Sequence, residues 1–217
     1  MDGNRRWAKK NFLPKLAGHK IGADNIVRVI EHASDKGIGY VTLWALSTEN
    51  LVNRDENELK GIITIINNIE SYLGKMIQKG LRFETIGDLS KLPEESQNVL
   101  FDIKDKTKNN TGITVVLALA YGGQDEIIRG IKKFLALGED INTLTTKNFR
   151  KYLDVSDFPT PDLIIRTGGD VRHSGFLLYD SAYTEYYYTQ KMWPEFNEDD
   201  LEKALDFFHK TKRNFGK

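Results

Sequence analysis

At 217 residues, 40% hydrophobic and 29% charged, the chain has a globular composition and is long enough to bury a core without disulfides. Its 31 Lys+Arg are matched by 31 Asp+Glu, so the basic excess of a dedicated nucleic-acid binder is absent and no nucleic-acid partner is expected. With no cysteine, no apolar run of the ~18–20 residues that span a bilayer, and no secretion-signal pattern, the sequence predicts a cytoplasmic protein without thiolate metal sites.

Apolar positions Ile21, Ile26, Val27, Val29, Ile30 and Ala33 recur at helical spacing and stop at Gly37. Residues 40–45 (YVTLWA) are a short apolar run of strand type. A long helical pattern runs over 59–77 and stops before Gly80; 81–86 reads as a strand ended by Gly87-Asp88. Residues 93–108 predict a polar helix. Residues 114–120 (TVVLALA) form a buried strand, which Tyr121-Gly122-Gly123 turns into a helix over about 125–137. Residues 163–165 are another short strand, and 198–214 an amphipathic helix. Strands alternating with helices predict a single α/β domain over 1–217, with a mostly parallel central sheet and helices on both faces. Such sheets bind ligands beyond the carboxyl ends of their strands.

Four segments carry the chemistry. Residues 1–8 (MDGNRRWA) place Asp2, a hard oxygen ligand suited to Mg²⁺ with substrate phosphates, beside Gly3, which permits close backbone approach, and the donors Arg5 and Arg6. Lys15 and His19 follow at spacings that can return to the same pocket; a solvated basic terminus is the competing reading. Residues 166–174 (RTGGDVRHS) follow a strand and set two arginines around a Gly-Gly turn with a serine beyond. They are either a phosphate-gripping loop or a surface hairpin. Ser47-Thr48-Glu49-Asn50 either caps the next helix or orients a substrate. Glu185, among tyrosines, is either an edge-strand surface residue or a second metal ligand.

In this order and at these spacings the segments resemble one family, the cis-prenyltransferases of the undecaprenyl diphosphate synthase type. The matching text is MDGNRRWA, GHKIGA (18–23), TLWALSTEN (42–50), AYGG (120–123), DLIIRTGGDVRHSGFLL (162–178) and AYTEYYYTQKMWPEF (182–196), which spans essentially the whole chain. The resemblance implies condensation of an allylic diphosphate with isopentenyl diphosphate units to give cis double bonds, with Mg²⁺ as cofactor. It implies that Asp2 holds the metal and assists diphosphate departure, with Glu185 as second ligand. Gly3, Asn4, Arg5, Arg6, Lys15 and His19 would cradle the allylic diphosphate, with Trp7 as a wall. Ser47, Thr48, Glu49, Leu51 and Arg54 would also belong to the allylic diphosphate site, with Ser47 to Asn50 between the two sites and the catalytic Asn50 orienting substrate or water. Arg166, Arg172, His173 and Ser174 would take isopentenyl diphosphate.

An apolar tunnel between sheet and helices would receive the product, with 59–77 and 114–120 as candidate walls that are equally readable as core. A homodimer and transient contact with a membrane surface are further implications. The family has a short apolar strand before MDGN, so a chain beginning at Met1 is expected to leave Asp2 hanging from a free terminus. Other departures are Lys15 for arginine, Leu51 for an aromatic, an extra residue before Arg54, Ala120 and Gln124 around YGG, and Asn214 for arginine in the tail. The alternatives are a catalytically silent partner subunit, against which Asp2, Arg166, Arg172, Ser174 and Glu185 argue, and a short-chain or prenyl-transfer specialist on the same fold.

Overall fold

A computed structural model describes residues 1–213; the tail substitution at Asn214 lies outside the described residues. Chain order begins with two helices, α1 (Asn4–Lys10) and α2 (Lys15–Asp35), then β1 (Tyr40–Ser47). Next come α3 (Thr48–Asn53), α4 (Glu56–Asn67), α5 (Ile69–Gln78), β2 (Arg82–Ile86), α6 (Glu94–Thr107) and β3 (Thr114–Tyr121). The last elements are α7 (Gly123–Ala136), α8 (Thr146–Phe149), β4 (Leu163–Arg166), β5 (Glu185–Tyr188) and α9 (Glu198–Lys210).

Every strand pair is parallel, in the order β1-β3-β2 and, separately, β4-β5. β3 explains itself: all eight residues are buried, so it reads as an unbroken apolar run rather than an alternation. Val115, Leu117 and Leu119 enter a core with Ile30, Ile62, Ile66 and Leu73 of the α2, α4 and α5 layer. Val116 and Ala118 face a second core with Phe134, Phe149 and Tyr152. Helices therefore cover both faces of one α/β domain.

Three predicted boundaries shift. The 59–77 pattern is two helices: the chain breaks at Asn68 (φ −100°, ψ 10°), whose side chain donates to the Thr64 carbonyl at 2.7 Å. The last helix stops at Lys210, where the Thr211 hydroxyl turns back to the Phe207 carbonyl. The chain before Ile21 is also helical, and Gly18 and Gly22 let α1 lie directly on α2. A Cβ at Gly18 would stand 2.2 Å from the Asn4 carbonyl oxygen, and one at Gly22 would stand 2.4 Å from Asn4 Oδ1.

The expected single sheet is divided among the described residues. No ladder joins β1 to β4; both line one cavity of about 750 Å³, with Met1 and Asp2 at its lining. The 59–77 residues Ile62, Ile66, Leu73 and Met76 are packed core, each no more than 6% exposed.

Candidate active site

Asp2 does not hang free, contrary to the expectation from its place in the chain. Its backbone N–H donates to Thr167 Oγ1 at 2.9 Å, and its carbonyl accepts from the Thr167 hydroxyl at 2.8 Å and the Trp193 N–H at 2.9 Å. Trp193 is itself fixed: its indole donates to the Gly22 carbonyl at 2.7 Å, and buried Asn25 donates to the Trp193 and Phe196 carbonyls. Two chain segments more than 160 residues away thus hold Asp2. Gly3 lets the chain leave it at φ +102°, a conformation that costs glycine little.

The Asp2 carboxylate accepts from the Gly3 N–H at 2.6 Å and from Arg166 Nη2 at 3.0 Å, and Arg6 Nη2 lies 3.2 Å away. Burial pushes its pKa up, but the Arg166 and Gly3 hydrogen bonds and the Arg6 charge outweigh burial and hold it below the usual carboxylate range. Asp2 is therefore ionised at neutral pH, as a hard-cation ligand must be.

The 166–174 loop wraps this carboxylate. Arg166 Nη1 donates to Ser174 Oγ at 2.7 Å and to the Arg172 carbonyl. Arg6 Nη1 donates to the Gly168 carbonyl at 2.6 Å. Gly168 and Gly169 take φ +89° and +85°, a left-handed backbone that favours glycine at both positions. Asp170, not singled out from sequence, lies 3.3 Å from Arg6, 3.7 Å from Arg166 and 3.2 Å from Arg172. His173 Nδ1 accepts from the Gly175 N–H, which orders the loop.

A second basic group surrounds Glu58, another residue the sequence reading missed. Its carboxylate is 4% exposed. It lies 3.1 Å from Arg54, 3.0 Å from His19, 3.6 Å from Arg5 and 4.0 Å from Lys15. Burial lowers the His19 pKa more than the Glu58 contact raises it, and the ring's Nε2 stands 3.0 Å from Glu58 Oε1 and 3.3 Å from Arg54 Nη1.

Arg54 also donates to Asn50 Oδ1 at 2.9 Å, fixing that amide. Ser47 caps α3 by accepting from the Asn50 N–H at 3.2 Å, so the capping reading holds for Ser47. Thr48 and Glu49 lie against Gly122, where a Cβ would stand 2.5 Å from Thr48 Oγ1. Leu51 packs against the core, and Trp7 is half-buried on α1.

Glu185 is not brought to Asp2. It pairs with Leu163, three rungs below the Arg166–Tyr188 rung, or about 10 Å at ~3.3 Å per residue. Among the described residues no three His, Cys, Asp or Glu side chains cluster as a metal site.

Buried polar atoms without hydrogen-bond partners gather here: Asn4 Oδ1, Arg54 Nε, Glu58 Oε2 and Arg166 Nε. Unsatisfied buried groups cost about 1–3 kcal/mol each, so their gathering marks a place built for a polar ligand. Mg²⁺ commonly takes one or two carboxylates and leaves its other positions to water and phosphate; the ionised Asp2 fits that donor set, with Arg6 and Arg166 beside it placed to receive the phosphates.

The family model described as putative undecaprenyl diphosphate synthase matches residues 1–216. An isoprenyl transferase of Clostridium perfringens is 42% identical over 221 residues, covering 100% of this chain and 87% of the relative. The (2E,6E)-farnesyl-diphosphate-specific ditrans,polycis-undecaprenyl-diphosphate synthase of Micrococcus luteus is 35% identical, over 100% of this chain and 88% of its own length. Among solved structures, lavandulyl diphosphate synthase from Lavandula x intermedia, in complex with dimethylallyl diphosphate, superposes with a TM-score of 0.95 at 34% identity, over 100% and 95% of the two chains. A probable undecaprenyl diphosphate synthase from Campylobacter jejuni gives 0.80 at 29%, over 91% and 93%. With its motifs in order, its fold shared and its full length matched, the chain belongs to the undecaprenyl diphosphate synthase family, the cis-prenyltransferases.

Proposed function

We propose that the chain condenses a farnesyl-type allylic diphosphate with isopentenyl diphosphate units, with Mg²⁺ on Asp2, to give a cis-polyprenyl diphosphate. The observation that carries this reading is the placement of Asp2 among arginines from two sequence-distant elements, Arg6 on α1 and Arg166 at the end of β4, with a second basic group around Glu58. Two cationic half-sites match two diphosphates.

Arg5, Lys15, His19 and Arg54 bind the allylic diphosphate, and Arg6 bridges toward Asp2. As the allylic carbon–oxygen bond breaks, negative charge collects on the leaving diphosphate, and fixed guanidinium donors stabilise it most in the transition state. Arg166, Arg172 and Ser174 hold isopentenyl diphosphate so that its alkene faces the forming cation. Bound Mg²⁺ supplies further charge neutralisation at the departing group. Asn50, pinned by Arg54, orients substrate or water, since an amide is a poor base. Substrate diphosphate serves as proton acceptor. Asn50→Asp tests this: a raised rate with a carboxylate-like pH profile would contradict an orienting role.

The protein works in the cytoplasm as a homodimer, and Glu185 acts as a metal ligand only in an arrangement that brings it to an Asp2. The product lies along an apolar tunnel and leaves toward lipid. Among the described residues no helix is long and apolar enough to cross a membrane.

A short-chain product is the second reading, favoured by the TM-score of 0.95 with lavandulyl diphosphate synthase. Incubation with Mg²⁺, farnesyl diphosphate and labelled isopentenyl diphosphate, followed by chain-length analysis, separates the two. Long products support the first reading, and one or two added units support the second. No elongation with any allylic starter overturns both.

A further inference from the structure

The turn joining α1 to α2 is built unlike the rest of the surface. Phe12 is 97% exposed, the highest among the exposed large apolar residues, and Leu13 beside it is 41% exposed. Phe12 also sits at φ +57°, a left-handed conformation that bulky L residues rarely adopt. The turn is nonetheless ordered by its backbone: the Phe12 N–H donates to the Lys9 carbonyl at 3.2 Å and the Leu13 N–H to the Ala8 carbonyl at 2.9 Å. The Asn11 amide donates to the Trp7 carbonyl at 2.9 Å. A rigid turn thus holds an aromatic ring outward, with nothing inside the molecule gained from it.

The charge along this stretch of the chain is one-sided. In a chain with equal numbers of acidic and basic residues, residues 3–23 contain Arg5, Arg6, Lys9, Lys10, Lys15 and Lys20 and no Asp or Glu. Lys9, Lys10, Lys15 and Lys20 are exposed. Lys10 has only a loose contact, 3.4 Å from Glu195. An exposed aromatic with an adjacent leucine, preceded in the chain by Lys9 and Lys10 and followed by Lys15, complements one kind of surface: an anionic bilayer, where lysines meet headgroups and the ring enters the acyl boundary.

We propose that the Lys9–Lys15 turn is a peripheral docking tip for anionic membranes. The turn follows directly on α1, a helix of seven residues whose other end carries Asp2, so docking places the diphosphate site about 10 Å above the headgroups at ~1.5 Å per residue. This rests on the reading of the product as a polyprenyl lipid. A single aromatic and a few lysines give weak, reversible attachment.

The test uses the full chain and vesicles without substrates, so its outcome is independent of whether the enzyme elongates prenyl chains. Binding to phosphatidylglycerol-containing vesicles is expected, with far weaker binding to pure phosphatidylcholine and loss at high salt. Phe12→Ser should lower the partition coefficient at least tenfold. Lys9→Gln with Lys10→Gln should lower it by about fivefold per lysine. Turnover with soluble substrates should be unchanged in both.

Because the chain has no cysteine, Phe12→Cys gives a unique site for an environment-sensitive fluorophore. Its emission should shift to the blue on adding anionic vesicles, and that of Lys147→Cys should not. Equal vesicle binding by wild type, Phe12→Ser and the double lysine variant would overturn the proposal. So would a change in oligomeric state on Phe12→Ser with vesicle binding intact, which would assign the turn to a second copy of the chain.

Discussion

Replacing Glu58 by glutamine tests whether the basic groups of the allylic half-site are aimed by a buried counter-charge. The carboxylate is 4% exposed, and its two close partners are also sheltered, Arg54 at 16% and His19 at 11%. Arg5 and Lys15 are more than half exposed and farther off. Glu58→Gln therefore strands a sheltered guanidinium, and the loss falls near the lower end of the range for breaking a buried pair, about 3 kcal/mol. In a chain of this length that is roughly 6–12 °C in Tm.

Glu84 is the matched control. It is as deeply buried, with Lys104 at 2.8 Å and Arg82 at 2.6 Å, but both cations are nearly half exposed and are hydrated when released. Glu84→Gln should cost about 1 kcal/mol and leave catalysis alone. Steady-state kinetics below both melting temperatures separates the roles. Glu58→Gln should raise KM for the allylic diphosphate about tenfold, equivalent to ~1.4 kcal/mol, with a smaller effect on kcat and on KM for isopentenyl diphosphate. A change under twofold would refute the aiming role. A lower KM would mean that Glu58 competes with substrate for the same cations.

Asp2→Ala should cost several orders of magnitude in turnover, with activity lost to EDTA and restored by Mg²⁺ only in the wild type; a loss below about tenfold, or ~1.4 kcal/mol in barrier, is incompatible with Asp2 organising the metal. Gly22→Ala drives a methyl to within 2.4 Å of Asn4 Oδ1 and 2.9 Å of Trp193 Cδ1, so kcat/KM should fall more than tenfold while circular dichroism stays native. Gly74→Ala on α5, with nothing within 4 Å of its Cβ, should instead stabilise by roughly 0.4–1 kcal/mol. Glu126 is buried against the Tyr121 hydroxyl at 2.6 Å, and burial pushes its carboxyl up to about 7. The folded state then holds a proton that the unfolded chain releases near the ordinary value. The stability Glu126 contributes is complete below that value and falls by about 3 kcal/mol as pH rises through 7. Denaturant midpoints should therefore drop between pH 5 and 7.5, and Glu126→Gln should flatten that slope.

The parts of this molecule legible in its sequence are those whose cause is local. β3 announces itself because both faces are buried, and the glycines of the 166–174 loop because a left-handed backbone is needed beside Arg6. The break at Asn68 was hidden because the apolar stripe of α4 continues in phase into α5. Glu58 was hidden for a different reason. A lone glutamate in a helix is ordinarily solvated, and only the convergence of α1, α2 and the end of α3 on it gives it three cationic neighbours and a histidine. Asp2 is the clearest case. Read along the chain it is second from the end and unsupported. In space it is clasped by Thr167 and Trp193, and Trp193 is locked to α2 through Gly22 and Asn25. Those contacts join the MDGN, GHKIGA, RTGGD and MWPEF segments into one assembly around a single carboxylate. The spacing between the segments carries no local meaning. Their chemistry appears only when the fold closes, which is why a Cβ at Gly22 should damage catalysis although no substrate touches it.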